Sequence, residues 1–127
     1  MDLEKFDTGR DIQELLAIRD DIERLSVLSR PNDGLSPKVD VFDVGTSYQV
    51  DIEVPGVPQE NIEVAIQGRS LTVAGLREAV SDDVTIVLCE RQSGPFERTI
   101  ELPGGILKEE TTAHLREGLL TLTLPKA

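Results

Sequence analysis

The chain lacks tryptophan altogether and has one cysteine, one histidine, one tyrosine and three phenylalanines in 127 residues. A single cysteine cannot form an internal disulfide, so the fold must rest on its own core, and a reducing compartment is expected. One histidine, His114, with Glu117 nearby, supplies too few ligands for a catalytic zinc, and a surface imidazole is the expectation. The scarcity of aromatic rings leaves little to stack against a sugar, although Asp51 and Glu53 share a strand face as two carboxylates of a glycosidase would. No motif supports nucleophilic catalysis by Cys89 and His114, and neither a P-loop nor a dinucleotide fingerprint is present. The expectation is therefore no enzyme, no catalytic residue, no cofactor and no metal.

Basic residues are also scarce. Thirteen Lys and Arg stand against 24 Asp and Glu, a formal charge of −11, which argues against nucleic acid as a partner because phosphate binding needs cations. No apolar run is long enough to cross a bilayer, and the first residues lack the basic start and apolar stretch of a signal peptide, so a cytoplasmic protein with no membrane partner is expected.

What is present divides into two regions. In residues 8–29, Leu15, Ile18, Ile22 and Leu25 recur at spacings of three and four, with Ile12, Leu16 and Leu28 widening the stripe. Thr8 with Asp11 resembles a cap, and Arg30-Pro31-Asn32-Asp33-Gly34 supplies a stop and linker. The pattern predicts an amphipathic helix of about six turns. From Lys38 onward the period becomes two: Tyr48, Val50, Ile52 and Val54 alternate with polar residues, as do Ile62, Val64 and Ile66. Further runs at 71–75, 84–88, 96–102 and 119–124 are separated by glycine- and proline-containing turns. Short alternating strands at this spacing predict an antiparallel β-sandwich or barrel. In the last run Gly118 suits a tight turn, Leu120, Leu122 and Leu124 share one face, and Pro125 is expected to end the ladder. Residues 1–36 read as an N-terminal helical extension and linker, and 37–127 as the domain.

Several segments, in order, carry a resemblance. They are Pro37-Lys-Val-Asp40-Val, Glu53-Val-Pro55-Gly56-Val57, Ile62-Glu-Val64, Leu71-Thr-Val73-Ala-Gly75, Glu90-Arg91-Gln-Ser-Gly94-Pro-Phe96-Glu-Arg98, Leu102-Pro103, and the closing Ala113-His-Leu-Arg-Glu-Gly118-Leu-Leu. Together they resemble the α-crystallin domain of small heat-shock proteins of the prokaryotic type, over roughly residues 37–126. The resemblance implies an all-β, immunoglobulin-like antiparallel β-sandwich behind the N-terminal amphipathic helix. It also implies an ATP-independent holdase that binds unfolding, non-native client proteins under stress. A related co-chaperone sandwich that docks on one folded partner is the alternative, but it lacks the Glu-Arg-x-x-Gly-x-Phe-x-Arg run.

The resemblance further places a dimer-exchange strand at residues 84–90, with Val84, Ile86, Leu88, Glu90, Arg91 and Arg98 at the interface of a strand-exchanged homodimer. Arg98 alternates with Phe96 and Ile100, so its charge is expected to pair across the dimer with Glu90, Asp82 or Asp83, the other reading being a local pair or a solvated head on a snorkelling stem. Two apolar surfaces are candidates for clients. One is the helix stripe of Ile12, Leu15, Leu16, Ile18, Ile22, Leu25 and Leu28, whose other reading is a helix packed on its own domain or on a second copy. The other is an edge groove at Ile62, Val64, Ile66 and Leu115, which a tail motif fills in the family and whose residues are first of all core. No Ile-x-Ile tail follows Pro125-Lys126, so a dimer or small oligomer is expected. Cys89, on the exchange strand, is expected to be buried or inert.

Overall fold

The computed structural model describes residues 14–20 and 36–127. Among the described residues, nine strands form two sheets: β1 (Glu14–Leu15), β2 (Ile18–Arg19), β3 (Val39–Asp43), β4 (Ser47–Glu53), β5 (Ile62–Gln67), β6 (Ser70–Arg77), β7 (Gly94–Glu101), β8 (Thr112–Arg116) and β9 (Leu119–Pro125). One sheet has the order β1-β8-β9-β4-β3 and the other β2-β5-β6-β7. Every pairing is antiparallel except that of β2 with β5.

Alternation builds the core. Val50 and Ile52 of β4 and Leu120, Leu122 and Leu124 of β9 turn inward from one sheet, and Val64, Leu71 and Val73 meet them from the other, all fully buried. Each such side chain contributes about 1.5–3 kcal/mol by leaving water. Two glycines set the geometry for different reasons. Glu117 and Gly118 have φ of 53° and 80°, the two left-handed residues of a tight hairpin joining β8 to β9. Gly75 has no positive φ; it is required because Phe96, opposite it on β7, fills the space a side chain would need.

The predicted runs at 48–54, 62–66, 71–75, 96–102 and 119–124 are present as strands, with one adjustment at the end. Pro125 does not stop the chain's pairing: it is the last residue of β9 opposite Ser47, and its carbonyl accepts from the Leu107 amide at 2.8 Å. A terminal proline lacks only the donor, so its acceptor remains available.

One expectation is overturned, and one run stays unpaired in the single chain. Across the described part of the predicted helix, residues 14–20, the chain is extended and forms β1 and β2; the rest of the predicted helix, with Ile12, Ile22, Leu25 and Leu28, lies outside the described residues. Leu16 and Ile18 are two apart, a spacing that suits a strand as well as a helix, and the edges of β8 and β5 offer backbone partners an isolated helix face does not. Residues 84–90 are a loop in the single chain, with no strand between β6 and β7. Alternating residues become a strand only against another edge, and within the single chain this segment pairs with none.

Candidate functional site

Two places on the sandwich leave the pattern of apolar-in, polar-out. The first is the cleft between β8 and β5, the strands that would otherwise end their sheets on that side. Residues 14–20 lie along it. β1 pairs with β8, with Glu14 opposite Leu115 and Leu15 opposite His114, and the Leu16 amide donates to the Ala113 carbonyl at 2.9 Å. The chain then crosses to the other sheet, where Ile18 and Arg19 stand beside Val64 and Ala65 of β5. Leu16 drops into the core, 8% exposed, and Ile18 packs half-buried against the same cluster. One segment thus ties both sheets together.

Its far end is held by an ion pair, Lys108 Nζ to Asp20 Oδ1 at 2.8 Å. The hydrogen bond from Lys108 and then its charge hold the Asp20 carboxyl below the usual range, and the hydrogen bond to Asp20 raises Lys108. Asp20 is exposed and Lys108 half-buried, so solvent screens the pair and it positions more than it stabilises.

Of the groove residues named from the sequence, Ile62, Val64, Ile66 and Leu115 are all buried in the central core, and Leu16 and Ile18 join them here rather than on a helix. Leu15 lies in β1. Sequence reasoning missed that Leu16-Ala17-Ile18 is a single extended plug, and missed Asp20 and Lys108 as its anchor. The available signal was the two-residue spacing flanking a small residue.

The second place is the loop from 78 to 93 together with β3. Val84, Ile86 and Leu88 are 56%, 54% and 76% exposed, and Val87 is 96% exposed. At the open end of the five-stranded sheet, β3 carries Val41 and Phe42 at 42% and 44% exposure. Glu90 and Arg91 are exposed in the loop. The guanidinium of Arg91 covers Gly56, where an added Cβ would stand 2.6 Å from its Nη2. Arg98 points to the same side as Phe96, as its alternation requires. In the single chain it is half-buried and its Nη1 donates to the Pro37 carbonyl at 2.8 Å, not to Glu90, Asp82 or Asp83.

Cys89 is exposed, not buried, in the loop between β6 and β7. His114 is half-buried rather than a surface imidazole, its Nδ1 shielded and, among the described residues, without a hydrogen-bond partner. Asp51 accepts from Gln49 Nε2 at 3.3 Å on the outer face of β4. Among the described residues no group of three His, Cys, Asp or Glu side chains could hold a metal ion, and no helix is long and apolar enough to cross a membrane.

A sandwich with these open places, and with the ordered motifs on its strands, invites comparison with known proteins. Residues 40–127 match the model of the Hsp20/alpha crystallin family. The chain belongs to this family of small heat-shock proteins. It is 35% identical over 94 residues to small heat shock protein C4 of Rickettsia felis, covering 72% of this chain and 58% of that one. It is 38% identical over 96 residues to heat shock protein 16 of Schizosaccharomyces pombe, covering 72% and 67%. The small heat-shock chain therefore spans about three-fifths of the length of its Rickettsia relative. Among solved structures, heat shock protein 16.0 from Schizosaccharomyces pombe superposes with a TM-score of 0.69 at 36% identity, covering 73% of this chain and 88% of that one. HSP18.5 from E. histolytica gives a TM-score of 0.67 at 26% identity, covering 72% and 88%. The α-crystallin domain is the β-sandwich described above, and residues 14–20 precede the stretch matched by the family model.

Proposed function

We propose that this small heat-shock protein is an ATP-independent holdase, binding unfolding proteins and keeping them from aggregating. The observation that carries the reading is the row of apolar side chains at Val84, Ile86, Val87 and Leu88, half to almost wholly exposed on a chain of net charge −11. Apolar surface of this kind favours association, and an excess of acid keeps the resulting complex dissolved. Association with unfolded chains then withdraws them from aggregation by mass action.

Self-association is part of the same proposal. The exposed loop at 84–90 and the open edge of β3 are complementary in kind: one supplies an apolar segment that pairs with no strand in the single chain, the other an edge that carries Val41 and Phe42. Exchange of the loop onto β3 of a second copy satisfies both, with Glu90, Arg91 and Arg98 near the seam. On this reading residues 1–36 are an extension, 37–127 the dimerising domain, and Cys89 stays a thiol in the cytoplasm.

The test is light scattering of a heat-aggregating model protein with no nucleotide present, with the mass of the small heat-shock chain measured at the same temperatures. Suppression at near-equimolar dimer is expected. Unchanged aggregation at every ratio would refute the holdase reading, and a monomeric mass would refute the exchange.

A further inference from the structure

We propose that the cavity at the root of the 78–93 loop is a binding site for an amphipathic carboxylate of the fatty-acid type, and that its occupation opposes exchange of the loop. The antagonism rests on the exchange reading; the site does not.

The polar half of the site is a pair of arginines. The cavity has a volume of about 440 Å³, within the range of small-molecule sites, and Arg77, the last residue of β6, and Arg91 both line it. In a chain with 24 acidic side chains, neither forms an ion pair among the described residues. Arg77 Nη1 donates to the Gln92 carbonyl at 3.3 Å, while its Nε is shielded from water and, among the described residues, has no acceptor. A shielded donor left in this way costs free energy that an incoming acceptor returns. The Arg91 guanidinium lies against Gly56 in the same wall, in space a side chain there would take. Of the carboxylates at the cavity, Glu78 already accepts from Asn61 Nδ2 at 3.2 Å and Glu90 is exposed. The unmet capacity is therefore for an acceptor, and the planar fork of a guanidinium matches a carboxylate.

The apolar half is Val80, Ile86 and Leu88, which line the same cavity at 50%, 54% and 76% exposure. A small inorganic anion would leave them in water. An alkyl chain attached to the carboxylate covers them, and each methylene it buries adds to the affinity. Ile86 and Leu88 also belong to the proposed exchange segment. The same two side chains cannot cover an alkyl chain here and seat on β3 of a second copy, so the ligand draws the dimer toward monomer by mass action.

The test uses the full chain with sodium decanoate below its micelle concentration, and decyltrimethylammonium as the probe of equal chain length and opposite charge. General attraction to a chain of net charge −11 favours the cation; the cavity favours the anion. Decanoate should bind more tightly than the cation by calorimetry and should slow alkylation of Cys89, the chain's one thiol, which is exposed in the cavity wall. Arg77→Gln should weaken decanoate by about tenfold, the loss expected for a hydrogen bond to a charged group. Val80→Asp, a carboxylate at an exposed wall position, should also weaken it while the circular dichroism spectrum and urea midpoint stay native. Equal or tighter binding of the cation, or unchanged decanoate affinity in both variants, would overturn the site. The sedimenting mass should fall from dimer toward monomer as decanoate is added. Arginine-dependent binding with an unchanged dimer mass keeps the site and overturns the antagonism. A chain that is monomeric without ligand overturns the exchange and the antagonism together, while the affinities still decide the site.

Discussion

Replacing Gly75 by alanine adds one methyl group at the most crowded point of β6. The residue sits between Ile62 on β5 and Phe96 on β7, and a Cβ there would overlap the tip of the Phe96 ring and lie 2.8 Å from the Asn61 carbonyl oxygen. Neither neighbour can yield easily. Phe96 is 3% exposed in a filled core, and Asn61 is fixed by its Nδ2, which donates to the Leu76 carbonyl at 3.0 Å and to Glu78 Oε2 at 3.2 Å. Overpacking of this kind costs about 1–3 kcal/mol, and the clash with backbone places it near the top of that range. The lower backbone entropy of alanine returns about 0.5–1 kcal/mol. A net loss of about 2 kcal/mol is expected. With no tryptophan for fluorescence, urea unfolding is best followed by circular dichroism, at one fixed protein concentration so that any self-association contributes equally. If the ring is what obstructs the methyl, Phe96→Leu should relieve it, and the double variant should be more stable than the sum of the single effects by at least about 1 kcal/mol. Additivity within about 0.5 kcal/mol would refute the steric account, as would a single-variant cost near zero.

Three other outcomes are expected. Arg98→Ala removes a half-buried, charge-assisted hydrogen bond to the Pro37 carbonyl, a loss of about 1.5–3 kcal/mol in unfolding; on the proposed exchange it also weakens the dimer, and an unchanged dimer dissociation constant by sedimentation would count against that role. Ile86→Asp with Leu88→Asp places charge on two exposed apolar positions and should shift the chain to monomer while its circular dichroism spectrum and urea midpoint at matched monomer concentration stay native; a persistent dimer would exclude the loop as the exchange element. Lys126 Nζ meets Asp43 Oδ1 at 2.8 Å, and the bond from Lys126, then that from the Gly45 amide, hold Asp43 below the usual 3.8, while Asp43 raises Lys126 above 10.5. The pair's contribution is therefore complete between those values, lost as pH falls through the lowered Asp43 pKa, and lost as pH rises through the raised Lys126 pKa. The Tm difference between the protein and Lys126→Met should be constant from about pH 5 to 9 and shrink outside that window; a difference that varies across neutral pH would exclude this pair as its source.

Much of the molecule was written into local sequence. Alternation in residues 48–54, 62–66 and 119–124 fixes which side chains face inward, because a strand's period of two leaves no other choice once one face is apolar. Gly118 sets its turn through a positive φ that glycine tolerates. Even the inward aim of Arg98 follows from its place between Phe96 and Ile100. The partner it would find was not legible: Pro37 lies 61 positions away, and only folding brings its carbonyl into reach.

The same division explains the two segments whose structure differs from their local pattern. Residues 14–20 carry apolar side chains at spacings compatible with a helix or a strand, and nothing local decides between them; the unpaired edges of β8 and β5 decide, since they supply hydrogen bonds to an extended backbone and a core slot for Leu16. Residues 84–88 place Val84, Ile86 and Leu88 at strand period, yet they pair with no edge within the single chain and remain a loop with their apolar side chains exposed. Sequence by itself determined which segments could pair and which face each would bury. Tertiary structure decided which edges were available to pair with, because a β-strand, unlike a helix, takes its hydrogen bonds from a neighbour rather than from itself.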